Sequence, residues 1–202
     1  MGDPESAAGA SPPADHSLIQ SFLQSGDPAA FRKLVERHLP PVRRLLYTLF
    51  NGQREEIEDA EQEIILSLLQ GLGSFQFRSS FRTYFYRLAR NRGIDCLRRK
   101  RSRERVLVRL RSGLGNEQAH DPEEQALRGE ELRSLLEVFH TLPSRDRQLI
   151  LMKDVEGFSV EEVAGILKVP VGTVKSRLHR AREKLARRLG RSEGQEVEHG
   201  RV

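Results

Sequence analysis

Ser159-Val160-Glu161-Glu162-Val163-Ala164-Gly165-Ile166-Leu167-Lys168-Val169-Pro170-Val171-Gly172-Thr173-Val174-Lys175-Ser176-Arg177-Leu178-His179-Arg180-Ala181-Arg182 reads as two helices around one tight turn. Ser159 with Glu162 three residues on fits a capping box: the hydroxyl accepts from the backbone N–H near Glu162 and the carboxylate reaches back. The short helix it opens carries Val163, Ala164, Ile166 and Leu167, and Val169-Pro170-Val171-Gly172 supplies the turn. A second helix then runs from about Thr173 to Leu189. A short capped helix, a tight turn and a basic helix make a helix-turn-helix pattern, with Ala164 small enough to let the two helices approach closely. On the second helix Val174, Leu178, Ala181 and Leu185 form the stripe expected to be buried. Ser176, His179, Arg180 and Glu183 lie opposite it, with Lys175, Arg177 and Arg182 on the flanks. Set in a major groove, such a helix offers Ser176, His179 and Arg180 to base edges. Thr173, Lys175 and the flanking arginines, Arg177 among them, then meet phosphates. Arg187 and Arg188 are expected only to favour a helix carboxyl end.

Upstream, the same helical spacing recurs. Phe31, Leu34, Val35, His38, Leu39, Val42, Leu45, Leu46 and Leu49 predict a helix in which Pro40-Pro41 marks a kink or break. Residues 55–70 predict a second helix, with Ile57, Ala60, Ile64 and Leu68 buried and an acidic outer face of Glu55, Glu56, Glu58, Asp59, Glu61 and Glu63. A third runs from about Ser80 to Arg99, with Phe81, Phe85 and Leu88 as core. Helical spacing returns at Leu132, Leu135, Leu136 and Phe139, and Leu142-Pro143-Ser144 opens a helix holding Leu149, Ile150 and Met152 and closed by Gly157. Nothing alternates as a strand would. The expected class is all-α: helical domains at 18–101 and 131–190 joined by a flexible linker at 102–130, with a disordered arm at 1–17 and a tail at 191–202.

Composition narrows the function. The 202 residues are 31% charged and 37% apolar, and no run approaches the roughly 18–20 apolar residues of a membrane span. The start of the chain shows neither a basic nor an apolar secretion-signal region. Cys96 is the single cysteine, which excludes a disulfide framework or a cysteine zinc site and suits a reducing cytoplasm. The net charge of +5 conceals two basic blocks. Residues 78–111 hold 13 Lys and Arg against 2 acidic residues, and residues 168–191 hold 9 against 1, leaving −14 for the remainder. Two such blocks in an otherwise acidic chain point to a polyanion held at two sites.

Residues 75–101 interleave aromatics with arginines, a pattern that suits single-stranded DNA, where rings hold unstacked bases and arginines follow the backbone. Tyr84, Tyr86, Arg90, Asn91 and Arg92 are the candidates for its exposed polar face. Asp59-Ala60-Glu61-Gln62-Glu63-Ile64 resembles the Asp-x-x-Gln-Glu-hydrophobic motif in region 2.2 of extracytoplasmic-function (group 4) sigma factors of the sigma-70 family. Phe81 through Asn91 resembles regions 2.3 and 2.4, and Leu142-Pro143 through Leu189 resembles region 4. Their order and spacing, more than any single motif, carry the resemblance.

The resemblance implies a non-enzymatic subunit, without cofactor or metal, that binds core RNA polymerase (its β′ and β subunits) and promoter DNA, both double-stranded and melted. Asp59, Gln62, Glu63 and Leu66 would dock on β′. Tyr84, Arg87, Arg90, Asn91, Arg98 and Arg99 would serve the minus-ten element. Thr173, Lys175, Ser176, Arg177, His179 and Arg180 would serve the minus-thirty-five element. An anti-sigma factor is a further partner, and membrane insertion is not expected. Two residues depart from the common pattern: Tyr84 stands where tryptophan is frequent, and Lys168 stands where glycine is common and a left-handed backbone is expected. Residues 112–130 reach at most ~65 Å when extended, about 19 base pairs of duplex, so one chain can bridge two elements. A stand-alone helix-turn-helix regulator would explain residues 142–189 but leave the aromatic-arginine segment and the acidic helix idle. A nuclease using Asp59, Glu61 and Glu63 would need carboxylates on one helix face, which i and i+2 are not.

Overall fold

The computed structural model describes residues 13–110 and 137–199, and every regular element among them is helical. Helix α1 spans Pro13–Ser25, α2 Pro28–Phe50, α3 Arg54–Gly71 and α4 Phe81–Leu110, with one 3-10 turn at Leu72–Ser74. After helical residues 137–141 come α5 (Ser144–Ile150), one π-helical turn (Leu151–Val155), α6 (Val160–Leu167) and α7 (Val171–His199).

Helix α2 is the spine of the amino-terminal half. Asp27 caps its start by accepting from the Ala29 N–H at 2.9 Å, and Pro28 supplies a preorganised first residue. Its apolar stripe of Leu34, Val42, Leu45 and Leu46 is fully buried against Ile19 of α1, Ala60, Ile64 and Leu68 of α3, and Phe81, Phe85 and Ala89 of α4. Gly93 is required where α4 crosses α2, since a Cβ there would stand 2.9 Å from a methyl of Leu49 and 3.1 Å from one of Leu46. In the carboxyl-terminal half, Leu142, Met152, Phe158, Val163, Ile166, Val174, Leu178 and Ala181 make the core. Each of the Leu, Met, Phe, Val and Ile side chains contributes about 1.5–3 kcal/mol of burial.

Several boundaries differ from the sequence reading, for physical reasons. Residues 13–17, read as disordered arm, begin α1. Pro13 fits a first helical turn, and Asp15 is buried, accepting from Arg37 Nη1 at 2.6 Å and pairing with His38 Nε2 at 2.9 Å. Helix α2 continues through Pro40-Pro41, packed against α1, α3, α4 and α5. Helix α4 takes up residues 102–110 of the expected linker, because Ser102-Arg103-Glu104-Arg105 and the residues after them contain no glycine or proline before Gly113. Helix α7 passes Leu189 and runs to His199, so Arg187 and Arg188 lie mid-helix: Arg187 faces Glu183 at 3.6 Å and Arg188 donates to the Thr141 hydroxyl at 2.5 Å. Residues 1–12, 111–136 and 200–202, which include most of the expected arm and linker, lie outside the described residues.

Candidate polymerase and nucleic-acid interfaces

The helix-turn-helix forms as its residues dictate. The Ser159 hydroxyl accepts from the Glu162 N–H at 3.0 Å, while the Glu162 carboxylate accepts from the Ser159 N–H at 2.8 Å, completing the capping box. Burial works against ionisation of Glu162, but hydrogen bonds from Ser159 and Thr83, with Arg82 nearby, outweigh it and hold the carboxyl below the usual range. Lys168 closes α6 in the left-handed conformation (φ 55°, ψ 48°), its N–H donating to the Ala164 carbonyl, as the glycine-like position requires. Beyond the turn Val174, Leu178 and Ala181 are buried and Leu185 is partly buried, the expected stripe.

Lys175, Ser176, Arg177, His179 and Arg180 are all exposed and Thr173 is half-buried at the start of α7. The Ser176 hydroxyl rests on the Thr173 carbonyl at 3.1 Å and Arg180 Nε on the Ser176 carbonyl at 3.2 Å, both contacts that DNA can displace. His179 lies 3.5 Å from Glu183. Arg182 is committed elsewhere, paired with Asp154 beyond the turn.

The second candidate surface lies on α3. Asp59, Gln62, Glu63 and Leu66 are all exposed and fall at i, i+3, i+4 and i+7, so they form one stripe. Leu69, 42% exposed and three residues beyond Leu66, extends it; the sequence reading omitted it although the spacing announces it. Three of the other carboxylates of α3 are held within the chain. Glu61 takes a bidentate pair from Arg43 at 2.8 and 2.7 Å, Glu58 pairs with Arg54 at 2.9 Å, and Glu56 with Lys100 at 2.9 Å. Glu63 accepts from Arg99, which keeps its carboxyl below the usual range. The Cys96 Sγ sits 3.4 Å from Glu63, and burial pushes this thiol up.

The α4 face is partly covered. Tyr84 is half-buried, its ring 4.6 Å from that of Phe75 and its hydroxyl donating to the Gly71 carbonyl at 3.3 Å. Arg87 is half-buried, Asn91 and Arg92 are exposed, and Arg98 is exposed with Asp95 3.7 Å away. Arg90 donates to the Gln148 side chain at 3.1 Å, and burial lowers its pKa from the ordinary arginine value. Tyr86, expected on the exposed polar face, is 1% exposed beneath Phe158, with ring centroids 4.9 Å apart. Its hydroxyl finds no hydrogen-bond partner among the described residues, and burial raises its pKa. The aromatic–arginine pattern suggested an exposed Tyr86; the Phe158 ring over it comes from the far half of the chain.

A sigma-70 region 2 domain matches residues 34–103, and a sigma-70 region 4 domain matches residues 132–185. The ECF RNA polymerase sigma-E factor of Haemophilus influenzae is 32% identical over 182 residues, covering 87% of this chain and 95% of that protein. The chain belongs to the sigma-70 family. Within it the chain is an extracytoplasmic-function (ECF) sigma factor, a specificity subunit of transcription initiation rather than an enzyme. The ECF sigma factor SigW of Bacillus subtilis is 30% identical over 174 residues, covering 83% of this chain and 92% of its own. The fold matches that of the sigma factor RpoE of Bartonella quintana, crystallised with the anti-sigma factor NepR (TM-score 0.64, 24% identity, 79% of this chain and 96% of that one). It also matches CnrH in complex with the cytosolic domain of CnrY (TM-score 0.64, 23% identity, 88% and 97%). In this sigma factor region 2 is built on α2–α4, and region 4 includes α5, α6 and the first half of α7. No described helix is long and apolar enough to cross a membrane.

Proposed function

We propose that this ECF sigma factor docks on core RNA polymerase through the α3 stripe of Asp59, Gln62, Glu63 and Leu66, extended by Leu69. Region 4 then reads the minus-thirty-five element through Thr173, Lys175, Ser176, Arg177, His179 and Arg180. Region 2 serves the melted minus-ten element through Tyr84, Arg87, Arg90, Asn91, Arg98 and Arg99. The observation that carries this assignment is the exposed, cationic face of α7 opposite a buried Val174, Leu178 and Ala181 stripe, on the second helix of a capped helix-turn-helix. Ser176, His179 and Arg180 sit in the amino-terminal half of α7, the part that a helix-turn-helix presents to base edges.

The α3 stripe combines carboxylates with two exposed leucines, which suits a partner helix carrying both basic and apolar side chains. Core polymerase and promoter place the work in the cytoplasm. The two solved complexes pair this fold with an anti-sigma factor or a cytosolic partner domain, and we extend a partnership of that kind to this chain.

Two variants test the assignment. Arg180→Ala should lose about 1–3 kcal/mol of discrimination at one upstream base pair; equal loss on every sequence would make Arg180 a phosphate contact instead. Asp59→Lys with Glu63→Lys should abolish core binding in a chain that still melts cooperatively, and unchanged core affinity would refute the docking stripe.

A further inference from the structure

Region 4 ties two cations of its basic helix to carboxylates elsewhere in its own fold. Arg182 of α7 forks onto Asp154 of the π-helical turn, with Nε 3.1 Å from Oδ2 and Nη2 on Oδ1. Lys184 donates to Asp146 of α5 at 2.7 Å. Lys175, Arg177 and Arg180, nearer the start of α7, are exposed. Arg182 stands seven residues beyond Lys175, two turns and ~10 Å along the same side of the helix, with His179 between them. Lys175, His179 and Arg182 therefore form one ridge, of which only the last is neutralised from outside α7. The turn that holds Asp154 is firmly seated. The Glu156 N–H donates to the Leu151 carbonyl at 2.8 Å and the Phe158 N–H to the Met152 carbonyl at 3.0 Å, over the buried Leu151 and Met152 side chains. A guanidinium takes a carboxylate and a phosphate through the same pair of parallel N–H bonds, so Asp154 fills the fork that a DNA phosphate would take.

We propose that Asp154 is a positioning residue that withholds Arg182 from duplex DNA and so lowers the sequence-independent affinity of region 4. The inference rests on the assignment of α7 as the duplex-reading helix and adds a restraint to it. Of the two permanent cations on the ridge, only Lys175 is left for the DNA backbone. Each phosphate contact adds about 0.9 to the slope of log affinity against log salt, which at ~0.1 M salt is up to roughly 8-fold in affinity on any sequence. Removing one such contact weakens binding everywhere and leaves base readout by Ser176, His179 and Arg180 in place. The pair lies at the surface, with the Arg182 side chain 53% and the Asp154 side chain 32% exposed. It therefore adds little to stability, and its effect falls on DNA binding rather than on folding.

The test uses the full chain and a short duplex of random sequence, with affinity read by fluorescence anisotropy across a salt series. Asp154→Asn should steepen the salt slope by about 0.9 and raise affinity by up to roughly 8-fold at ~0.1 M salt. Arg182→Gln should cancel that gain in the Asp154→Asn chain and change the slope far less in the otherwise wild-type chain. Asp154→Glu keeps the carboxylate and should keep the wild-type slope, which separates loss of the pair from a disturbed turn. An Asp154→Asn slope equal to that of the wild type overturns the inference, as does the same steepening with Arg182→Gln present, which would be an effect of net charge alone. A slope lowered by about 0.9 on Arg182→Gln alone also overturns it, because Arg182 would then already lie on a phosphate. Lys175→Ala tests the underlying reading: a slope unmoved by that change would refute α7 as the duplex-binding helix, whatever Asp154 does.

Discussion

Replacing Asn51 three ways separates the stability of region 2 from its closure against region 4. Asn51 ends α2 in the left-handed conformation (φ 52°, ψ 40°), its N–H donating to the Tyr47 carbonyl, while its side-chain oxygen accepts from Arg147 Nη2 at 2.7 Å. Asn51→Gly keeps the backbone cap without strain and removes only the acceptor. A hydrogen bond to a charged group is worth about 1.5–3 kcal/mol, and Arg147 Nη2 keeps the Thr48 carbonyl at 3.0 Å, so the closed form should lose about 1–2 kcal/mol. That is a roughly 5- to 30-fold rise in the open population. Asn51→Asp keeps the shape and sets a carboxylate on the guanidinium, which should strengthen closure by about 1 kcal/mol. The same negative charge at the carboxyl end of α2 opposes the helix dipole and should weaken region 2 by a few tenths of a kcal/mol. Asn51→Ala removes the acceptor and also puts in the left-handed region a residue that lacks asparagine's tolerance for it, at up to about 1 kcal/mol, so it should damage closure and region 2 together. The distance between spin labels at Glu36→Cys and Arg187→Cys, in a Cys96→Ser background, reports closure, and hydrogen exchange along α2 reports region 2. Glycine and aspartate moving the distance in the same direction, or alanine and glycine giving equal exchange, would refute the reasoning.

Lys168→Gly should relieve the left-handed strain at the end of α6 and stabilise region 4 by about 1 kcal/mol, a rise of roughly 4–8 °C in its melting transition; an unchanged or lower transition would mean the lysine side chain compensates. His38 supplies a pH test: burial lowers its pKa and Asp15, with which it is hydrogen-bonded, only partly opposes that shift. The unfolded chain therefore binds this proton more readily, so stability falls as pH drops through the unpaired histidine value of about 6.5. His38→Gln should flatten the change in urea midpoint between pH 7.5 and 5.5 relative to the wild type.

What could be read in advance depended on how local the cause was. The capping box at Ser159 and Glu162 and the Val174, Leu178 and Ala181 stripe follow from spacing over a few residues, the left-handed backbone at Lys168 from the family resemblance, and all three are present. The four α3 residues came from the family resemblance, and their i, i+3, i+4 and i+7 spacing puts them on one exposed face. Failures came where the deciding contact was distant. Gly, Ala, Ser and Pro content suggested disorder at 13–17, yet Asp15 is buried against Arg37 and His38, more than twenty residues away. Tyr86 was legible as an aromatic on a basic helix but not as one covered by Phe158, and Arg147 and Glu156 carried no signal as domain-bridging residues. Long-range ion pairs leave no periodicity, because each partner looks like an ordinary solvated charge on its own helix.

The two basic blocks also differ in how much of their charge remains available, which formal charge alone conceals. In the first block Arg82 is engaged by Glu156, Arg99 by Glu63, Lys100 by Glu56, and Arg90 by Gln148. In the second, Arg182 and Lys184 are drawn back to Asp154 and Asp146, but Lys175, Arg177 and Arg180 stay exposed in the amino-terminal half of α7. Region 4 therefore covers more of the first basic block than of the second, since Phe158 lies over Tyr86 and Glu156 engages Arg82 while Lys175, Arg177 and Arg180 stay exposed. Phosphate attraction acts at long range and without sequence preference, so on the proposed assignment α7 is the surface better placed for first contact with duplex DNA.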